Sequence, residues 1–143
     1  MTVALRKNPV ARAFTLIELI AVIVVLAILS GIAIPKYFDY AAKAKESATK
    51  GALGGMRSSI ANFYANAAVN GTAAYPTLSQ LTTIGTVLQE AVPTNPYNNS
   101  NAVKAATWAT TPPVAGTEGW AYDASAGRIW ANSTTTGVNE HLW

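Results

Sequence analysis

The chain has 143 residues, half of them hydrophobic and only 12% charged, a composition too apolar for a disordered tail. It contains no Cys and a single His, His141, which excludes disulfide scaffolds, thiol nucleophiles and imidazole clusters. Of its ten basic residues, Arg6, Lys7 and Arg12 precede the first apolar run, leaving seven against seven acids. The net charge of +3 therefore belongs to the N-terminus rather than to a binding face, and no nucleic-acid partner is expected.

Between Arg12 and Lys36 the only charge is Glu18. Phe14 to Ile34 is otherwise aliphatic or small, and its length at a helical rise of about 1.5 Å per residue comes to roughly 31 Å, the thickness of a bilayer's hydrocarbon core. A secretory signal peptide or a plain signal anchor explains the apolar run but not Glu18, because a carboxylate in hydrocarbon is costly. A third reading gives the carboxylate a partner. If the chain is cut just before Phe14, the new α-amino group lies one helical turn from Glu18, and the two charges neutralise each other within a chain or between neighbours. The basic leader stays on the cytoplasmic side, which places the residues after Lys36 outside the inner membrane.

Arg12-Ala13-Phe14-Thr15-Leu16-Ile17-Glu18-Leu19-Ile20 with the aliphatic run behind it resembles the class III signal of type IV pilins and type II secretion pseudopilins. That resemblance implies a leader, residues 1–13, removed by a prepilin peptidase in the inner membrane, with cleavage between Ala13 and Phe14 and N-methylation of Phe14. It further implies that Glu18, with Thr15 beside it, sets the register by pairing with the Phe14 amine of an adjacent subunit. An assembly ATPase and a platform membrane protein would then draw subunits into a helical filament. The family nearly always has Gly before the cut, where this chain has Ala13.

Pro35, one turn after Gly31, lacks the N–H of a regular helix, so a kink or local melting is expected around 31–36. In the family the similar region unwinds on assembly. Beyond it Phe38, Ala41, Ala48, Ala52, Met56, Ile60, Phe63 and Ala67 recur at helical spacing, with Lys43, Glu46, Lys50 and Arg57 opposite. Asp39–Lys43 and Glu46–Lys50 are favourable i,i+4 pairs. The helix is predicted to run to about Ala67 and to stop at Asn70-Gly71. Gly51, Gly54 and Gly55 weaken it by about 1 kcal/mol each unless they admit a closely packed element. A short helix is predicted over Ser79–Glu90, then turns at Pro93–Tyr97, then strands at Val103–Thr110, Gly119–Asp123 and Arg128–Asn132, the last two forming a hairpin across Ala124–Gly127.

Tyr75-Pro76, the Pro93–Tyr97 loop and Gly119-Trp-Ala-Tyr-Asp123 resemble the globular part of the major pseudopilin and its pilin relatives. That pseudopilin binds calcium through clustered carboxylates. Here Glu118, Asp123 and Glu140 are widely spaced, so no cofactor is expected; calcium stays open as an alternative that no clear ligand cluster supports. Trp108, Trp120, Trp130 and Trp143 read as core aromatics rather than a stacking surface, and Asp123 as a turn cap. Asn70, Asn98 and Asn132 each open a glycosylation sequon of low information. No nucleophile with a base and no carboxylate pair stands out, so no catalytic residue is named and an enzyme is not expected.

The expected fold is α+β and type IV pilin-like: a long N-terminal α-helix packed on a small antiparallel β-sheet. Residues 1–13 form the cytoplasmic leader, 14–35 the transmembrane and filament-core half of the helix, 36–68 its amphipathic half and 69–143 the globular head. The function expected is a structural pilin of a type IV pilus-like filament, polymerising with itself or with minor pilins, in the inner membrane before assembly and outside the cell afterwards. A pseudopilin driving type II secretion from a periplasmic pseudopilus is the alternative. A signal-anchored envelope binding module is the second, and it predicts that Glu18→Ala leaves function intact.

Overall fold

Helix α1 begins where Thr15 caps it and runs unbroken over Leu16–Val69, 54 residues, in the computed structural model, which describes residues 14–143. The described chain divides at Tyr40 into two compact units, and the helix passes through both. In the first unit every side chain from Phe14 to Tyr40 is exposed. A stretch of α1 here has a mean hydropathy of 2.9 and is long and apolar enough to cross a membrane. Gly31 and Pro35, where a kink or local melting was expected, both lie inside α1, and helical residues continue past Pro35.

The rest of α1 buries Thr49, Leu53, Met56 and Ile60, a stripe at spacings of four and three. Met56 and Ile60 were expected there, and Ala52 and Phe63 line its margins. At its N-terminal end the stripe is displaced by one residue from the expected one, so that Thr49 and Leu53 face inward while Ala48 and Phe38 stay exposed. The larger side chain of Leu53 gains more from burial than alanine does. Thr49 returns its hydroxyl to Lys45 O at 2.8 Å, so its burial leaves no donor unpaired. A Cβ built on Gly51, Gly54 or Gly55 would meet nothing within 4 Å, so among the described residues no element exploits the close approach those glycines permit.

Helix α1 ends in a Schellman motif. Gly71, at φ +80°, donates to Ala68 O at 3.1 Å, and Thr72 donates to Ala67 O at 2.9 Å. Helix α2 is much shorter than the predicted Ser79–Glu90 and covers Leu78–Thr82. Its start is fixed by a capping box between Thr77 and Gln80. The β-branched run Thr82-Thr83-Ile84 disfavours a longer helix, and Gly85 at φ +84° turns the chain.

The sheet has the order β1-β2-β3, with β1 Val103–Ala105, β2 Trp120–Asp123 and β3 Arg128–Ala131. The predicted hairpin is present, pairing Trp120 with Ala131 and Asp123 with Arg128. The sheet is mixed rather than wholly antiparallel, because β1 pairs in parallel with β2, Val103 opposite Trp120. The crossover that a parallel pair requires is supplied by residues 106–119, part of which had been expected to continue the strand to Thr110. Trp120, Tyr122 and Ile129 join Leu53, Met56, Ile60 and Leu81 in the core. Trp130, on the other face, meets Trp108 edge to face at 5.3 Å. The polar tips are satisfied by the carbonyls of prolines in the connecting loops: Trp120 Nε1 donates to Pro93 O, Trp130 Nε1 to Pro113 O and Tyr122 OH to Pro76 O. Trp120 and Trp130 thus fill the interior, whereas Trp108 and Trp143 are half-buried.

Candidate functional site

The candidate site is the start of α1, where the sequence places Phe14, Thr15 and Glu18. Phe14 is exposed and precedes the first helical turn. The Glu18 carboxylate accepts from the Thr15 backbone N–H at 2.8 Å and from the Thr15 hydroxyl at 2.9 Å. Thr15 Oγ1 in turn accepts from the Glu18 N–H at 3.3 Å. Thr-x-x-Glu is a reciprocal capping box, and its charge lies at the positive end of the helix dipole. The acid in the apolar segment is therefore held, within its own chain, where backbone donors and the dipole oppose its desolvation. Thr15 and Glu18 were expected to set the register between subunits; what they form within the chain is this cap. Its sequence signal was present in the spacing of three. Ala13 lies outside the described residues, and so does the leader.

In the head three asparagine amides tie the loops together. Asn95, fully buried, donates to Gly119 O at 2.8 Å and to Ser133 Oγ at 3.0 Å, and accepts from Tyr97 N. Asn98 donates to Glu118 O. Asn132 donates to Ala115 O and Glu118 O, both at 2.9 Å, and accepts from Ala115 N at 3.0 Å. With its amide enclosed and fully used, Asn132 is no acceptor for a glycan in the folded chain, whatever its sequon suggests.

The carboxylates of Asp123 and Glu140 serve two separate turns of the head. Asp123 caps the hairpin turn, accepting from Ser125 Oγ and N and Ala126 N through Oδ1 and from Trp108 N through Oδ2. These bonds, that from the Ser125 hydroxyl first, hold its carboxyl below the usual carboxylate range. Glu140 is buried in the 3₁₀ turn Glu140–Leu142 and accepts from Thr135 N at 2.9 Å and Thr135 Oγ1 at 3.0 Å. Burial raises its carboxyl, but the hydrogen bonds taken together prevail and leave it below the ordinary value. Among the described residues no group of three or more His, Cys, Asp and Glu could hold a metal ion.

The last residues dock on α1. Arg57 donates to Ile129 O at 3.0 Å and to Trp143 O, and burial depresses its guanidinium pKa. The Lys50 ammonium sits 4.6 Å from the centre of the Trp143 ring and also pairs with Glu46 at 2.6 Å, the one ion pair among the described residues. The other predicted pair, Asp39–Lys43, is not formed.

Comparison with known proteins bears on the N-terminal end. Residues 9–34 match the family model described as the prokaryotic N-terminal methylation motif. The chain is 38% identical over 60 residues to the fimbrial protein EcpC of Eikenella corrodens, an alignment covering 42% of this chain and 39% of that protein. It is 39% identical over 59 residues to the type IV major pilin protein PilE of Neisseria gonorrhoeae, covering 41% of this chain and 35% of that one. It is likewise 39% identical over 59 residues to the type IV major pilin protein PilA of Myxococcus xanthus, covering 41% and 27%. The chain thus spans well under half the length of these curated relatives. No solved structure matches it. Motif, apolar helix and relatives together define a likeness: the N-terminal part of the chain is similar to that of fimbrial proteins and type IV pilins. The long helix with its small mixed sheet is an α+β, type IV pilin-like arrangement.

Proposed function

We propose that the chain is a structural subunit of a type IV pilus-like filament, anchored in the membrane by its first helical segment before assembly. The observation that carries this reading is the methylation motif over residues 9–34, placed at the head of a helix whose apolar side chains are exposed on every face. The segment 14–40 buries no side chain among the described residues, and a bilayer before assembly and neighbouring helices after it both supply a partner. Cleavage between Ala13 and Phe14 and methylation of Phe14 by a prepilin peptidase complete the subunit. The freed amine then lies within a turn of Glu18, and exchange of the Thr15 cap for the amine of a neighbour gives each subunit a fixed axial position. Extraction by a platform protein and an ATPase follows from the same reading. The role is mechanical rather than catalytic.

The relatives are fimbrial proteins and pilins, which favours a surface pilus over a periplasmic pseudopilus. Intact-mass measurement of the protein from sheared filaments tests the proposal. Loss of residues 1–13 with one added methyl group is expected. A full-length, unmethylated chain confined to the membrane would refute it.

A further inference from the structure

The turn that follows the apolar segment differs from it in chemistry. Tyr37, Phe38 and Tyr40 are 71%, 67% and 65% exposed, and Lys36 and Asp39 in the same turn are exposed as well. Phe38 meets Tyr37 edge to face at 6.2 Å, and neither ring belongs to the hydrophobic core. One turn of helix thus offers three rings and two opposite charges to its surroundings. At 100° per residue the rings cover a broad arc and the two charges the remaining side. Hydrocarbon is a poor environment for this turn because of Lys36 and Asp39, and water is a poor one because of the rings. The boundary between them suits both: tyrosine places its ring among acyl chains and its hydroxyl among headgroups, and lysine extends its ammonium outward. The position is right as well. From Phe14 to Lys36 the helix rises about 33 Å, so that when its start lies at one face of the bilayer this turn reaches the other.

We propose that Lys36, Tyr37, Phe38 and Tyr40 form a lipid-interface belt that fixes how deeply the unassembled subunit sits, its occupant being the headgroup layer of a phospholipid bilayer. The inference rests on the membrane-anchored reading of the first helical segment.

The chain has no native Cys, so a single Cys introduced at Ala41 carries an environment-sensitive fluorophore without competition. The full chain is reconstituted in phosphatidylcholine–phosphatidylglycerol vesicles containing nitroxide lipids labelled either at the headgroup or deep in the acyl chain. Headgroup nitroxide is expected to quench the label more strongly than the deep one. In the Tyr37→Ser, Phe38→Ser, Tyr40→Ser variant the label loses its fixed depth, and quenching by aqueous iodide rises about twofold or more. Replacing the three rings by Trp restores the original ratio. The belt is overturned if the Ser variant stays in the vesicles through an alkaline wash with unchanged quenching, or if the deep nitroxide quenches best. Release of the unsubstituted chain by that wash would instead refute membrane anchoring itself, and the belt with it.

Discussion

Gly119 offers the sharpest test of the head's architecture. It immediately precedes β2, and a Cβ built on it would lie 1.9 Å from Ser100 O, 2.7 Å from Ser100 C and 3.3 Å from Asn95 Cβ. Two of these atoms are backbone, so no side-chain rotation relieves the clash. The 95–100 loop must move away, and with it go the bonds from Asn95 Nδ2 to Gly119 O and from Trp120 N to Ala102 O, at 2.8 and 3.1 Å. Overpacking costs about 1–3 kcal/mol, and each lost bond adds about 1 kcal/mol, giving about 3–5 kcal/mol for Gly119→Ala. In a unit of this size each kcal/mol shifts Tm by about 4–8 °C. A loss of at least about 12 °C is therefore expected in a near-UV circular dichroism melt of the detergent-solubilised chain, followed through the buried Trp120 and Trp130. A Tm within about 3 °C of the parent would show that the loop yields freely and that the stitching by Asn95 contributes little.

Glu18→Ala is expected to leave the protein in the membrane fraction and remove it from the sheared filament fraction, as immunoblots of both would report; equal filament yield would favour the signal-anchored module. Arg57→Ala frees the docked C-terminal residues from α1 at a cost of about 1–2 kcal/mol, seen as a lower denaturant midpoint together with altered Trp143 fluorescence. Asp123 and Glu140 are both held below their ordinary pKa, so the stability they contribute is complete above the ordinary carboxylate range and lost as the pH falls through their lowered values. Asp123→Asn should flatten that acid limb in a titration of Tm. Tyr122, whose burial pushes its pKa up to about 12, binds its proton more tightly folded than unfolded. Stability should therefore decline once the pH exceeds the ordinary tyrosine value of about 10, and Tyr122→Phe should weaken that decline.

Much of this was legible in the chain because local chemistry decides it. The β2–β3 hairpin follows from aromatic residues alternating with small ones on either side of a Gly127 turn, and the end of α1 follows from Asn70-Gly71, where only glycine accepts φ +80° cheaply. Two further local signals lay in plain view. Thr15-x-x-Glu18 and Thr77-x-x-Gln80 are capping boxes, and recognising the second would have fixed where α2 begins, though not that it stops at Thr82. What the sequence did not disclose is non-local. Nothing in the types of Asn95, Asn98 and Asn132 names their partners, which come from loops 14 to 38 residues away. The parallel pairing of β1 is likewise set by the path of the 106–119 loop, not by any period within Val103–Ala105. Leu53 entered the stripe ahead of Ala52, which only lines its margin, because burial follows side-chain volume as well as spacing.

The asparagine stitching also determines which chemistry the head is indifferent to. Its loops are joined by amide dipoles and not by sulfur, so no oxidant or isomerase stands between the newly made chain and its final form. Thiol reductants should leave it unmoved. Urea, itself an amide that competes for the same donors and acceptors, attacks the cross-links and the core together, and when it is diluted away the head should refold with no covalent pairing to relearn.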